Sequence, residues 1–448
     1  MASQLNRSIG IVKATAMVVG TIIGASIFVQ PSVITGHVSS ANSVFLVWIT
    51  AGILTFFGAL VCAELSSAFP RTGGVYVFLK ETYSPSIGFL WGWAMFWTMH
   101  SGIIAAIAVI FARYTAHFIP LDSAGVKLVA VSVILILSAI NYVGVRHGSI
   151  LQTVFTFGKI AAILVIILVG FLLGTPATES VGLQPSPVTS IAPTSGLTLN
   201  QFSLALVAGL FAFGGWHMVT YVADETVEPQ KNIPRALLAG TLIVTACYIA
   251  MNAVYLHVLP IDQVISSTKV AADAADAVIG AGGAAIMSGL VIFSTFGALS
   301  GIILAGPRVY YSMSKDGLLF KWLGSVHPRF KTPHRAIAIQ AIWASILVGT
   351  DTYEALFTRV VYTEWIFFAL MAAGLFLLRR RTDYSPPFSV WGYPVIPAIF
   401  IISSAVIVIN QFISDPAESF FGLLLVIIGL PIYFFWNWKK PAKERSVQ

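Results

Sequence analysis

Runs of about twenty apolar residues recur along this chain, each bounded by charge or by Pro and Gly, and that recurrence leaves few folds open. In hydrocarbon every backbone N–H and C=O must be satisfied inside the protein, so only helices and closed barrels span it. These runs are roughly twice the length of a barrel strand and do not alternate polar with apolar. The chain therefore reads as an all-α integral membrane protein. Composition agrees, with 57% hydrophobic and 10% charged residues among 448 and a mean hydropathy of +0.87. Twelve transmembrane helices are expected, near 8–36, 42–68, 86–118, 124–144, 149–174, 200–223, 234–258, 282–312, 335–350, 358–379, 393–414 and 418–437. The first run is too long for a signal peptide and shows no small-residue cleavage site, so it is read as a retained span.

Positive charge sets the orientation, because cytoplasmic loops keep their Lys and Arg. With the N-terminus inside, 20 of the 25 Lys and Arg residues fall on the cytoplasmic side and four outside: Arg113, Lys127, Lys269 and Arg359. Both termini are thus expected in the cytoplasm, in the plasma (inner) membrane. The basic balance reflects topology and gives no nucleic-acid surface. Two cysteines, Cys62 and Cys247, both in apolar spans, provide neither a disulfide framework nor a metal site, and no cofactor motif is present.

Two spans are weakened at their centres. "MVVGTIIGASIFVQ" in the first carries Gly20 and Gly24, and "GLFAFGGWHM" in the sixth carries the adjacent pair Gly214 and Gly215. Each interior glycine disfavours helix by roughly 1 kcal/mol relative to alanine. Close helix packing is the ordinary reading of one Gly-x-x-x-Gly. Two weak points five spans apart, at matching positions, point instead to inverted repeats with broken helices 1 and 6 around a midplane site. The expected division is a first repeat over 1–174, an extracellular loop over 175–199, a second repeat over 200–380, and two added spans with a cytoplasmic tail over 381–448. A broken helix exposes N–H groups on one side and C=O groups on the other, which suit a carboxylate and an ammonium.

Several segments carry a resemblance: "VVGTIIGASIFVQP", "SSAFPRTGGVYVFLKE", "LFAFGGWHMVTYVADE" with "EPQKNIPRA", and "SKDGLLFKWLGSVHPRFKTPHRAI". Together they resemble the amino acid-polyamine-organocation superfamily of transporters, and "LQTVFTFGKIAAIL" with "GLFAFGGW" resembles its L-type amino acid transporters. That family has the five-plus-five inverted-repeat (LeuT-type) fold. The family's first-span motif commonly runs Gly-Ser-Gly-Ile-Phe, where this chain has Gly24-Ala25-Ser26-Ile27-Phe28. The resemblance implies a substrate carboxylate against the backbone of Ala25, Ser26 and Ile27. It implies an ammonium against carbonyls of Ile22, Phe211, Ala212 and Gly214, with Phe211 as a lid toward the outside. Phe213 reads as packing. His217 stands where the family often has Asn, so the resemblance gives it a part in selectivity, while a hydrogen-bonded core histidine is its plainer reading.

Lys159 lies about ten residues from either end of its span. A charge there costs on the order of 3 kcal/mol, so it should face the bundle interior with a partner. The resemblance implies that its ammonium replaces the sodium ion of sodium-coupled relatives, on carbonyls near Gly20 and Thr21, with Tyr248 and Ser294 nearby. A fixed lysine removes the ion whose gradient would drive net uptake. The expected function is therefore sodium-independent exchange of neutral, small to medium L-amino acids, with proton-coupled symport through Lys159 as the alternative. The resemblance also bears on partners. Eukaryotic relatives join a glycoprotein through a cysteine between spans three and four, and "HFIPLDSAGVK" has none, so no disulfide-linked accessory subunit is expected. A membrane enzyme fits poorly: "ALSG" at 298–301 lacks the first glycine of a serine-protease motif and no HExxH occurs. A channel would need a repeated filter, which is absent.

Overall fold

A computed structural model describes residue 7 and residues 9–143, 145–177, 197–350 and 353–438. Residues 178–196 of the expected extracellular loop and the tail from 439 lie outside the described residues. Among the described residues every regular element is helical, and the one strand-like pairing is an isolated parallel bridge between Ile9 and Thr226. In chain order the helices begin with α1 (Ile11–Ile22), α2 (Gln30–Val38), α3 (Ala41–Ala68) and α4 (Val75–Thr82). Next come α5 (Pro85–Ala94) and α6 (His100–Thr115), joined by a π-helical turn at Met95–Met99, then α7 (Ser123–Val143) and α8 (Val145–Leu173). After the loop, α9 (Leu199–Ala212) is continued by the 3₁₀ segment Trp216–Glu225, followed by α10 (Pro229–Val258), α11 (Ile261–Ser266) and α12 (Val270–Ile279). The remainder is α13 (Gly283–Lys315), α14 (His334–Thr350), α15 (Tyr353–Leu378), α16 (Val395–Ser414), α17 (Pro416–Ile427) and α18 (Gly429–Trp438).

Among the described residues ten helical stretches are long and apolar enough to cross a membrane, so the chain is a multi-pass membrane protein. The expected first span is absent from those ten because it is interrupted: α1 has only 12 residues before the chain unwinds. The expected ninth, α14, has 17. Burial separates the bundle's centre from its rim. The best window of Leu199–Glu225 is 83% buried, whereas that of Thr153–Leu173 in α8 is 22% buried. α8 thus offers Phe157, Leu164 and Leu168 outward and turns Lys159 inward. α1 is central, packed by α10, α8, α13 and the 3₁₀ segment.

Two ion pairs fasten the helix ends. Glu225 accepts from Arg308 Nε at 2.8 Å and Nη2 at 3.4 Å, and the same guanidinium donates to Leu304 O at 2.5 Å. Glu64, fully buried in α3, accepts from Arg379 Nε at 2.9 Å and from the Val390 amide at 2.6 Å. Removing one member of a buried pair strands the other as an uncompensated charge, at a cost of about 3–5 kcal/mol, whereas an apolar replacement of both can be neutral. Glu225→Gln is therefore expected to lower the melting temperature of the purified carrier, and Glu225→Gln with Arg308→Met to recover most of the loss. Thermal unfolding followed by size-exclusion chromatography reads both.

Candidate functional site: two interrupted helices around a buried lysine

Helix α1 stops at Ile22, and Ile23 takes φ −72° and ψ 83°, outside the helical region. Gly24 N–H turns back to Ile22 O at 2.7 Å, and regular hydrogen bonding resumes only with Phe28 N–H to Ala25 O and Val29 N–H to Ser26 O. Among the described residues the amides of Ala25, Ser26 and Ile27 donate to no backbone carbonyl. All three residues are buried. Three consecutive donors ahead of α2 are the kind of group that can take an anion at the start of a helical segment. Left unpaired, a buried donor costs roughly 1–3 kcal/mol.

The second interruption lies opposite. α9 ends at Ala212, Gly214 N–H returns to Phe211 O at 2.9 Å, and Gly215 takes φ +97°, which disfavours any side chain. A Cβ on Gly215 would also come within 3.0 Å of Thr21 O. Thr21 Oγ1 in turn donates to Gly215 O at 3.1 Å, so the two interruptions touch directly. Sequence reasoning missed this bond, since nothing in the spacing of Thr21 marks it.

Lys159 joins α8 to the first interruption. Its side chain is 2% exposed, and Nζ donates to Gly20 O at 2.8 Å and Ile23 O at 2.5 Å. Gly20 O is available because Gly24 N–H, its helical partner, has turned to Ile22. The second acceptor is Ile23 rather than the expected Thr21, because the chain has left the helix by then and a different carbonyl faces α8. Tyr248 and Ser294 sit at the interruptions and not on the lysine. The Tyr248 hydroxyl is 3.0 Å from both Ile22 O and Ala212 O, sharing one hydrogen between the ends of α1 and α9. Ser294 Oγ donates to Gly24 O at 3.3 Å.

Thr21, Ile22, Gly24, Ser26, Ile103, Ile107, Phe211, Gly214, Gly215, Met218 and Ile302 surround what space remains between the two breaks. That space is about 10 Å³, room for about one water, so this is a closed conformation. Of the residues expected around the substrate's carboxylate and ammonium, Ser26, Ile22, Phe211 and Gly214 line this cavity, whereas Ala25, Ile27 and Ala212 are not among its lining residues. Phe213 packs on Trp48 and Tyr248, at ring distances of 6.3 and 5.0 Å, as its packing reading required. Gly20 has a second role: it lies inside α1, and a Cβ there would stand 2.3 Å from Thr156 Oγ1 on α8.

The chain matches the amino acid permease family model over residues 9–434. A serine/threonine exchanger, SteT, of Bacillus subtilis (strain 168) is 31% identical over 446 residues, covering 98% of each chain. The Asc-type amino acid transporter 1 of Mus musculus is 30% identical over 455 residues, 99% of this chain and 84% of that one. The large neutral amino acids transporter small subunit 2 of Homo sapiens is 30% identical over 447 residues, 97% of this chain and 82% of that one. This chain belongs to the amino acid permease family of the amino acid-polyamine-organocation superfamily. It is a transporter and not an enzyme.

The geometry separates its glycines. Gly20→Ala is expected to destabilise the carrier through the Thr156 collision, and Gly20→Ala with Thr156→Ala to restore it. Gly24→Ala, whose nearest new contact would be Ala298 Cβ at 3.6 Å, should fold normally. Gly215→Ala should have no such rescue, because its backbone conformation costs about 1–3 kcal/mol for a residue with a side chain. Melting curves of the variants distinguish the cases.

Proposed function

We propose that this chain is a sodium-independent exchanger of neutral L-amino acids, working by alternating access with its substrate held between the interrupted helices. The observation that carries the reading is the Lys159 ammonium bonded to Gly20 O and Ile23 O. It brings a permanent cation to the unwound backbone, and no gradient can drive a tethered cation through a cycle. The substrate carboxylate takes the amides of Ala25, Ser26 and Ile27. Its ammonium takes the carbonyls of Ile22, Phe211, Ala212 and Gly214, displacing the Tyr248 hydroxyl from two of them. Both contacts are with backbone, which suits a zwitterion whatever its side chain. The side chain then meets Ile103, Ile107, Met218 and Ile302, an aliphatic wall that favours small to medium neutral substrates.

In this reading α1 with α2 is the first of twelve spans, α14 is the ninth, and the repeats occupy 1–174 and 200–380 with both termini in the cytoplasm of the plasma membrane. The names of relatives, a serine/threonine exchanger and a large neutral amino acid transporter subunit, support exchange and neutral substrates. A disulfide-linked subunit has no anchor among the cysteines, since Cys62 and Cys247 are both buried within helices.

Purified carrier in vesicles should take up labelled alanine or serine only when unlabelled amino acid is trapped inside, and equally well in choline or sodium medium. Accumulation in empty vesicles driven by sodium or by external acid would overturn the reading. Lys159→Ala should reduce exchange at least tenfold while the protein remains folded and in the membrane, which chromatography of the same preparation checks.

A further inference from the structure

Among the described residues three acidic side chains are buried, and while Glu64 and Glu225 are held in ion pairs, the third is not. Glu364 stands in "VVYTEWIFFAL", in the first half of α15, and is 5% exposed. Among the described residues no hydrogen bond or ion pair engages its carboxyl. It precedes Phe368 by one helical turn and so shares its face. The Phe368 ring lies 5.0 Å from the ring of His217, at right angles to which Trp91 packs at 5.7 Å. Tyr221, one turn beyond His217 and 5.5 Å from it ring to ring, lies within electrostatic reach of Glu364.

These neighbours are short of partners. His217 Nδ1, the Tyr310 hydroxyl and Thr363 Oγ1 are buried with no hydrogen bond. The titratable groups in this region are Tyr221 on the 3₁₀ segment, which has Glu364, Cys62 on α3 and Tyr310 on α13 within electrostatic reach, and His217, which has within its own reach His100 on α6, whose Nε2 is 2.8 Å from Ile302 O. α9 and α16 contribute none. Among the described residues, charges near α15 are held in pairs: Glu64 with Arg379, Lys80 with Asp316, Arg71 with Glu81 and Arg308 with Glu225. A bare carboxylate at Glu364 would thus be an uncompensated buried charge, costing several kcal/mol, whereas a carboxylic acid can share hydrogen bonds with imidazole and phenol neighbours.

We propose that Glu364, buried one helical turn from Phe368, whose ring packs on Trp216 and His217 at the joint between α15 and the segment Trp216–Glu225, is a proton-binding site whose occupancy allows the cytoplasmic side to close. The proposal rests on the exchange reading and its orientation, in which Trp216–Glu225 is the cytoplasmic half of the sixth span. When that half swings away from α15, water reaches the carboxyl, its O–H bond breaks, the proton passes to cytoplasmic water and a solvated carboxylate remains. Closure reverses the step, taking the proton back from the same side. No proton crosses the membrane, so exchange stays uncoupled from the pH gradient while its rate follows cytoplasmic pH.

The test varies the pH inside vesicles between roughly 6 and 9 with the outside fixed, and measures exchange. Wild-type carrier should slow roughly tenfold per pH unit once closure requires a proton that the medium no longer supplies. Glu364→Gln, neutral at every pH, should exchange substrate with that dependence removed. A second measurement needs no turnover: in weakly buffered detergent solution, saturating alanine should draw up to one proton per wild-type carrier, read by an indicator dye, and none per Glu364→Gln carrier. An unchanged pH profile in Glu364→Gln, or equal proton uptake by the two proteins, would overturn the proposal. Failure of the exchange reading itself would appear separately, as uptake into empty vesicles.

Discussion

A helix that ends in the middle of hydrocarbon leaves backbone groups that no solvent can satisfy, and the rest of this structure is arranged around that requirement. The carbonyls of Gly20 and Ile23 are satisfied by Lys159, and those of Ile22 and Ala212 by Tyr248. The amides of Ala25, Ser26 and Ile27 are the group left over. The unwound backbone is thereby divided into a part occupied by the protein's own side chains and a part that, in the proposed function, takes the substrate. Lysine suits the permanent part, because a strongly hydrated ammonium buried this deeply is stable only with several oxygen partners, and an unwound turn supplies them. The cation and the break thus depend on each other: neither is tolerable alone.

Much of this was legible in the chain. The apolar runs located nearly every helix because burial in lipid demands long stretches without charge, and the depth of Lys159 announced an interior partner. Gly214 and Gly215 marked the second interruption, and Gly215 does take the left-handed backbone that only glycine adopts freely. What the sequence could not supply depends on how helices are rotated against one another. Tyr248 reaches both interruptions rather than the lysine, its hydroxyl standing 3.0 Å from Ile22 O and from Ala212 O, a coincidence of three helices that spacing does not encode. Gly20 leaves room for Thr156 as well as accepting from Lys159 through its carbonyl, and the first is a pairing between residues 136 positions apart that no local pattern encodes. Glu364 went unnoticed for a different reason. The rule that found Lys159 applies to it equally, but its carboxyl has no partner that a known motif would supply.

The relatives place this chain among amino acid carriers of bacteria and mammals, and its site explains how such a family can vary in cargo while keeping one mechanism. In the proposed function, recognition of the α-carboxylate and ammonium falls to main-chain atoms, which substitution does not change. Side-chain choice would then fall to the cavity-lining Ile103, Ile107, Met218 and Ile302, which substitution changes readily. Selectivity can drift by altering that aliphatic wall without disturbing the groups that hold every amino acid alike.

The parallel bridge between Ile9 and Thr226 has a mechanical meaning. Ile9 N–H donates to Glu225 O at 3.0 Å and Val227 N–H to Ile9 O at 2.9 Å, directly before α1 and directly after the 3₁₀ segment. Two half-helices far apart in the sequence, one near its start and one near its middle, are therefore pinned at their tips as well as at the Thr21 to Gly215 contact. Two fixed points on a pair of rods remove most of their relative rotation. The pair behaves as a single lever, so a displacement imposed on either rod is delivered to the other without a relay through side chains.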